Sequence, residues 1–377
     1  MKKIISYGMC IVLLTGCGDA TSISVPSAGD PSLEQSDLLG ALQIGATSSP
    51  QDTGRTDAPS QESTPAQEST VTPAPTATQE PNATPAPTAT QEPTPSPTPF
   101  VPLRDNTPYC PSPVASGTVT YGNDVTTIDA SNLEQGYIMA NYTGTCPKVK
   151  LQIIGPDSHT STYNLNSTEF QAFPLTAGDG SYTVTVNENI QGKDYIVSYE
   201  VSLDVALDDP FSPYLSPSSY VYYNEDTRAV ELAAELCETA ASDLDCVSAI
   251  YNYIIENIEY DYDLAGQITS GALSSYIADI DATLADGKGI CLDYAALMAC
   301  MLRTQRIPTR LEVGYASLSY HAWVSVYLTD VGWVNGIVEF DGSSWSLMDP
   351  TFAASNSEEE VKEFIGDGSN YTVRYIY

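Results

Sequence analysis

Residues Gly287 to Tyr315 read GKGICLDYAALMACMLRTQRIPTRLEVGY, and the order of their local signals decides the fold of the carboxy-terminal part. Gly287-Lys288-Gly289 is a sharp turn signal. Beyond it Leu292, Ala295, Ala296, Leu297, Ala299, Cys300 and Leu302 make an apolar run without glycine, which predicts a buried helix from Cys291 to about Arg303. After Pro308 the pattern turns to strands, over Arg310 to Tyr315, His321 to Leu328, Gly332 to Phe340 and Trp345 to Met348. Upstream, Val230, Ala233, Ala234 and Cys237 recur at helical spacing after Asp226-Thr227, and Val247, Ile250, Tyr251, Ile254 and Ile255 do so after Asp243. Between these helices and the turn the chain reads as a polar loop after Tyr260-Asp261-Tyr262-Asp263, then a short segment around Ala282 to Ala285. Helices followed by antiparallel strands make an α+β domain, placed at 215–377.

Moving outward, residues 107–207 alternate apolar and polar, as in Tyr137 to Tyr142, Val149 to Ile153 and Tyr182 to Val186. That alternation, punctuated by Gly144, Gly155-Pro156, Gly178-Asp179-Gly180 and Gly192, predicts short antiparallel strands packed as a small β-sandwich, an immunoglobulin-like module serving as spacer or docking unit. Residues 17–106 are rich in Pro, Thr, Ser, Gln and Ala, and TPAPTATQEP at Thr72 to Pro81 recurs at Thr84 to Pro93. Such composition buries too little apolar surface to offset chain entropy, so this stretch is expected to be a disordered stalk. Residues 1–16 combine Lys2 and Lys3 with the apolar run Ile11 to Leu14, the form of an export signal. The run ends in Leu14-Thr15-Gly16-Cys17, which is similar to a bacterial lipobox and would make Cys17 the lipidated amino terminus. The expectation is an extracytoplasmic protein tethered to the cell membrane by lipid.

With 48 acidic against 14 basic residues the formal charge is -34, and no basic stripe is present to neutralise phosphates, so nucleic acid is not an expected partner. Apart from Cys10 and Cys17, the cysteines are Cys110, Cys146, Cys237, Cys246, Cys291 and Cys300. Export permits disulfides, and proximity in sequence suggests Cys110 with Cys146 and Cys237 with Cys246, although spacing does not fix connectivity. No CxxC pair or histidine cluster occurs, the two histidines being His159 and His321, so neither a metal nor another cofactor is expected.

Three residues carry candidate chemistry. Cys291 falls at a helix start, where free N–H groups and the helix dipole favour a thiolate and could hold an oxyanion; taken alone it reads equally as a small buried hydrophobe. His321 opens a strand that sets His321, Trp323, Ser325 and Tyr327 on one face, and a lone strand histidine is ordinarily a satisfied polar group. Asp349 ends the strand Trp345 to Met348, placed either to orient an imidazole or to initiate a turn.

Taken together, GKGICLDYAALMACMLRTQRIPTRLEVGY, YHAWVSVYL (Tyr320 to Leu328), WSLMDPTF (Trp345 to Phe352) and the approach residues Ile258 to Tyr262 resemble the transglutaminase-like superfamily over about Tyr220 to Tyr377. The sandwich joined to such a domain is also similar to bacterial cell-surface transglutaminase-like lipoproteins. The resemblance implies a papain/transglutaminase-like catalytic domain with Cys291 as nucleophile, His321 as general acid and base, and Asp349 as orienting carboxylate. It implies an acyl-enzyme formed on amide bonds of envelope proteins or peptides and resolved by water (protease or amidase) or by an amine (transamidase). Hydrolysis is the favoured outcome, since the accessory domains and calcium loop of calcium-dependent crosslinkers are missing from the sequence. A non-catalytic surface-binding module of the same fold, and a structural wall-spacing protein, are the competing readings.

Overall fold

The computed structural model describes residues 104–165, 167–273, 276–316, 319–329, 331–334, 337–340, 345–354 and 370–377. The expected signal segment, the lipobox with Cys17 and all but the last three residues of the expected stalk lie outside them.

The first part is built of two four-stranded antiparallel sheets. One takes the order β1-β2-β3-β6, from β1 (Thr120–Gly122), β2 (Thr126–Asp129), β3 (Tyr137–Tyr142) and β6 (Gln171–Pro174). The other takes the order β5-β4-β7-β8, from β4 (Val149–Ile154), β5 (Thr160–Asn164), β7 (Gly180–Gln191) and β8 (Asp194–Val205). Alternate residues supply the core: Ile138 and Ala140 on β3, Val149, Leu151 and Ile153 on β4, Tyr182, Val184 and Val186 on β7 are all buried. Burial of each large aliphatic chain contributes roughly 1.5–3 kcal/mol, which is why the period-two pattern fixes register. Tyr163 on β5 meets Phe173 on β6 edge-to-face at 5.0 Å, tying one sheet to the other.

The second part starts with α1 (Arg228–Leu236) and α2 (Asp243–Asn257). Ser242 caps α2 by accepting from Asp245 N while the Asp245 carboxylate accepts from Ser242 N at 2.9 Å. Next come β9 (Glu259–Tyr260), α3 (Tyr262–Thr269), α4 (Ile280–Asp286), β10 (Lys288–Gly289) and α5 (Cys291–Thr304). The α3 helix replaces part of the expected polar loop: Asp261 accepts from Leu264 N at 2.8 Å, and Ala265 and Ile268 pack with Ile290 in a small satellite core. From Asp293 to Thr304 every residue of α5 is buried, so this helix is the axis of the domain.

A four-stranded sheet, β13-β12-β11-β16, follows α5. Its members are β11 (Thr309–Ala316), β12 (Ser319–Leu328), β13 (Gly332–Val334) and β16 (Tyr371–Ile376). A separate hairpin joins β14 (Ile337–Phe340) to β15 (Trp345–Met348), followed by the one-turn α6 (Pro350–Ala353). The single strand expected over Gly332 to Phe340 is thus two strands in different sheets. The end of the chain joins the two parts, since Tyr377 OH donates to Thr162 O at 3.2 Å and its ring meets Tyr163 at 5.1 Å.

Candidate active site

The start of α5 is held from three sides. Gly287 takes the left-handed conformation (φ 60°) that closes α4, and the next two residues pair in parallel with β9. Glu259 N donates to Gly287 O at 2.8 Å and Asp261 N to Gly289 O at 2.9 Å. At Gly289 an added Cβ would lie 2.5 Å from Asp293 Cβ, so the turn that delivers Cys291 has no room for a side chain. Asp293 in turn accepts from Ile290 N at 2.8 Å and from Tyr276 OH at 2.7 Å. Burial lifts the Asp293 carboxyl to about 6 against the lowering effect of these two hydrogen bonds, with Asp261 and Asp279 adding repulsion. Cys291, the first residue of α5, is 2 % exposed.

His321 comes from the middle strand of the sheet, opposite Gly314 on β11. Gly314 is required there, because a Cβ would lie 2.0 Å from Thr372 O, and its absence lets β16 close against β11. That approach brings in Tyr371. His321 Nε2 and Asp349 Oδ2 are 2.6 Å apart, with His321 1 % and Asp349 3 % exposed. Asp349 also accepts from Tyr371 OH at 3.2 Å and from Thr351 N at 3.0 Å, the latter fixing it at the start of α6. Trp323 stacks beside the imidazole at 6.2 Å and stands edge-on to Tyr371 at 5.1 Å. Its indole N–H donates to Glu312 Oε2 at 2.7 Å, as does Ser325 OH at 2.7 Å, and Glu312 is the register partner of Trp323 across β11 and β12. Burial pushes the Glu312 carboxyl up against those two hydrogen bonds and Arg310. The face expected to carry His321, Trp323 and Ser325 is therefore a buried polar network, and Ala322, Val324 and Val326 on the other face are buried as well.

Electrostatics couple the three predicted residues. Burial pulls the His321 imidazole down, but the charge and hydrogen bond of Asp349, then the hydrogen bond and charge of Cys291, outweigh it and lift the group to about 10. The Cys291 thiol thus lies within electrostatic reach of His321, and the Asp349 carboxylate holds the imidazole at 2.6 Å. Sequence reasoning missed Tyr371, Glu312 and Asp293. Asp293 lay three residues past the residue that caps the helix, the one local signal available; the other two reach the site only through strand pairing.

The remaining cysteines are thiols of different character. Cys300 is fully buried, which pushes it well above the ordinary thiol range. Cys237 and Cys246 are neighbours: their mutual hydrogen bond raises Cys237 and lowers Cys246, and Arg104 donates to Cys246 Sγ at 3.0 Å. They are not joined. The other suggested pair is not brought together. Cys146 Sγ faces Lys148 O at 3.2 Å and Asn189 O at 3.6 Å, whereas Cys110 lies near Glu225 and Cys300; the strands between them carry the two apart.

Residues 230–336 match the sequence model of the transglutaminase-like superfamily, so this part of the chain is a transglutaminase-like domain of mixed α and β content. The match contains Cys291 and His321 and stops before Asp349. UPF0252 protein MJ1282 of Methanocaldococcus jannaschii is 34 % identical over 97 residues, 23 % of this chain and 27 % of that protein. The chain spans about a quarter of the length of this curated relative. Among solved structures, the periplasmic domain of TgpA from Pseudomonas aeruginosa is 16 % identical, covering 71 % of this chain and 89 % of that one, with a TM-score of 0.29. Red sea bream transglutaminase is 12 % identical, covering 57 % and 48 %, with a TM-score of 0.20. No helix among the described residues is long and apolar enough to cross a membrane.

Proposed function

We propose that this transglutaminase-like domain is a cysteine-nucleophile acyl-transfer enzyme acting on amide bonds of envelope proteins or peptides, held outside the cell membrane by a lipid on Cys17. The observation that carries the reading is the buried 2.6 Å contact between His321 and Asp349 beside a cysteine on the first turn of a helix. In the proposed reaction His321 takes the thiol proton, and Cys291 Sγ attacks the carbonyl carbon of the amide. Asp293 N and Tyr294 N already donate to Ile290 O, so the amides of Cys291 and Leu292 are the proposed donors to the oxyanion. His321 returns its proton to the departing amine as the C–N bond breaks, leaving a thioester. Water or an amine, deprotonated by His321, then displaces the thiolate. Hydrolysis is the outcome we favour.

One observation favours a non-catalytic binding module: Cys291 is almost wholly enclosed. Incubating the full chain with a cell-envelope extract, with and without an added primary amine, separates the readings. New protein amino termini mean protease and incorporated amine means transamidase. If neither product forms, or if a Cys291→Ala chain yields the same products, the enzymatic reading fails.

A further inference from the structure

A cavity of about 720 Å³ lies where the sheets of the first part meet the transglutaminase-like domain, and none of Cys291, His321 or Asp349 lines it. Its volume falls within the roughly 300–1,000 Å³ typical of ligand sites. The lining comes from the segment before β1, from β3 and β6, from the connector ahead of α1 and from Ile277 ahead of α4. Its chemistry is one-sided. Phe170 and Tyr222 supply aromatic surface, and Tyr222 is left 68 % exposed. Glu225 and Asp226 supply two exposed carboxylates, and among the described residues no Lys, Arg or His lines the cavity. Among the described residues neither carboxylate forms an ion pair.

An aromatic wall beside carboxylates without an ion-pair partner favours a cation whose alkyl stem lies on the rings. A neutral sugar could donate hydroxyl hydrogen bonds to the carboxylates but would leave their charge unpaired. We infer that this cleft is a binding site, separate from the acyl-transfer centre, for a peptide segment bearing lysine or arginine. Its alkyl stem lies on Phe170 and Tyr222, and its cationic head meets Glu225 and Asp226. Such a site selects basic segments of a partner protein whether or not Cys291 is a nucleophile.

The test is fluorescence anisotropy with the full chain carrying Cys291→Ser, so that no turnover intervenes, in about 0.15 M salt to screen long-range attraction. The probes are a labelled Gly-Phe-Lys-Gly-Lys-Gly peptide, its doubly Nε-acetylated form and a neutral oligosaccharide. The cationic peptide should bind saturably, and the acetylated peptide and the sugar should not. Glu225→Gln with Asp226→Asn should weaken binding about tenfold, the loss expected when charge-assisted contacts are removed. Because the whole chain is acidic, Glu200→Gln with Asp204→Asn, two exposed carboxylates on β8, is the control and should leave affinity unchanged. Equal losses in both double variants, equal binding of the acetylated peptide, preference for the sugar, or no binding would each overturn the inference.

Discussion

The two ends of α5 hold buried ionisable groups of opposite sign, and they are built for different purposes. At the carboxy-terminal end Arg303 is fully buried and every bond it makes ends on a backbone carbonyl: Nε on Thr309 O at 3.0 Å, Nη1 on Ser216 O at 2.8 Å, Nη2 on Tyr377 O at 2.9 Å. No proton moves there, and the guanidinium staples the connector, β11 and the chain end to one helix. At the amino-terminal end Cys291, Asp293, His321 and Asp349 are equally buried, but there His321 meets the Asp349 carboxylate at 2.6 Å and Asp293 accepts from Ile290 N and Tyr276 OH, so the partners are ionisable or polar side chains as well as backbone. The helix dipole suits both placements, a cation at one end and anions at the other. What differs is the kind of partner: fixed backbone acceptors close one end, and ionisable side chains, on which the proposed chemistry rests, line the other.

Predictions that break this contrast fall in order of size. Cys291→Ala should reduce acyl transfer at least about 10³-fold, to background, with thermal unfolding little changed, because the lost group is reactive rather than stapling. Turnover assays beside calorimetry check the split. Arg303→Met should do the reverse, lowering stability by about 3 kcal/mol through the carbonyls it leaves unpaired, as read by urea unfolding. Tyr371→Phe removes one hydrogen bond to Asp349 and should cost about 1 kcal/mol in transition-state stabilisation, visible as a lower kcat, while Trp323 and the fold remain. The pH dependence of stability sharpens the comparison further. The His321 group is lifted from its unfolded value of 6.5 to about 10, so its contribution is full below pH 6.5 and is lost as pH rises through about 10. Unfolding midpoints measured across that window should fall with pH in the native chain, and His321→Ala should flatten this part of the profile.

The contrast also explains what the sequence could and could not tell. The turn, the helix start and the strands were legible from local signatures, but each of Cys291, His321 and Asp349 also had a plain structural reading, and it was the resemblance of their segments to the transglutaminase-like superfamily that grouped the three before any contact was known. Leu151 and Val184 were legible as strand positions through alternation. Tyr371 and Glu312 were not, since each becomes part of the site only through the pairing of β11 with β16 and with β12. Arg303 had no signal at all: a charged residue near a helix end reads as solvated until Tyr377 and Ser216 arrive to bury it. Cys237 and Cys246, close in sequence, are brought side by side, whereas Cys110 and Cys146 are carried apart, because distance along the chain says little about distance across two sheets.

The central claim is that Cys291 and His321 act as one proton-sharing unit in the free protein. The most direct measurement is iodoacetamide labelling of the intact chain between pH 5 and pH 9, with the modified residue identified by peptide mass spectrometry, in the native protein and in His321→Ala. The account predicts that Cys291 labels at the acid end of this range, where the imidazolium is in place, while buried Cys300 stays unlabelled, and that His321→Ala moves Cys291 labelling to alkaline pH. Labelling of Cys291 only at alkaline pH, with the same profile in both proteins, would contradict it.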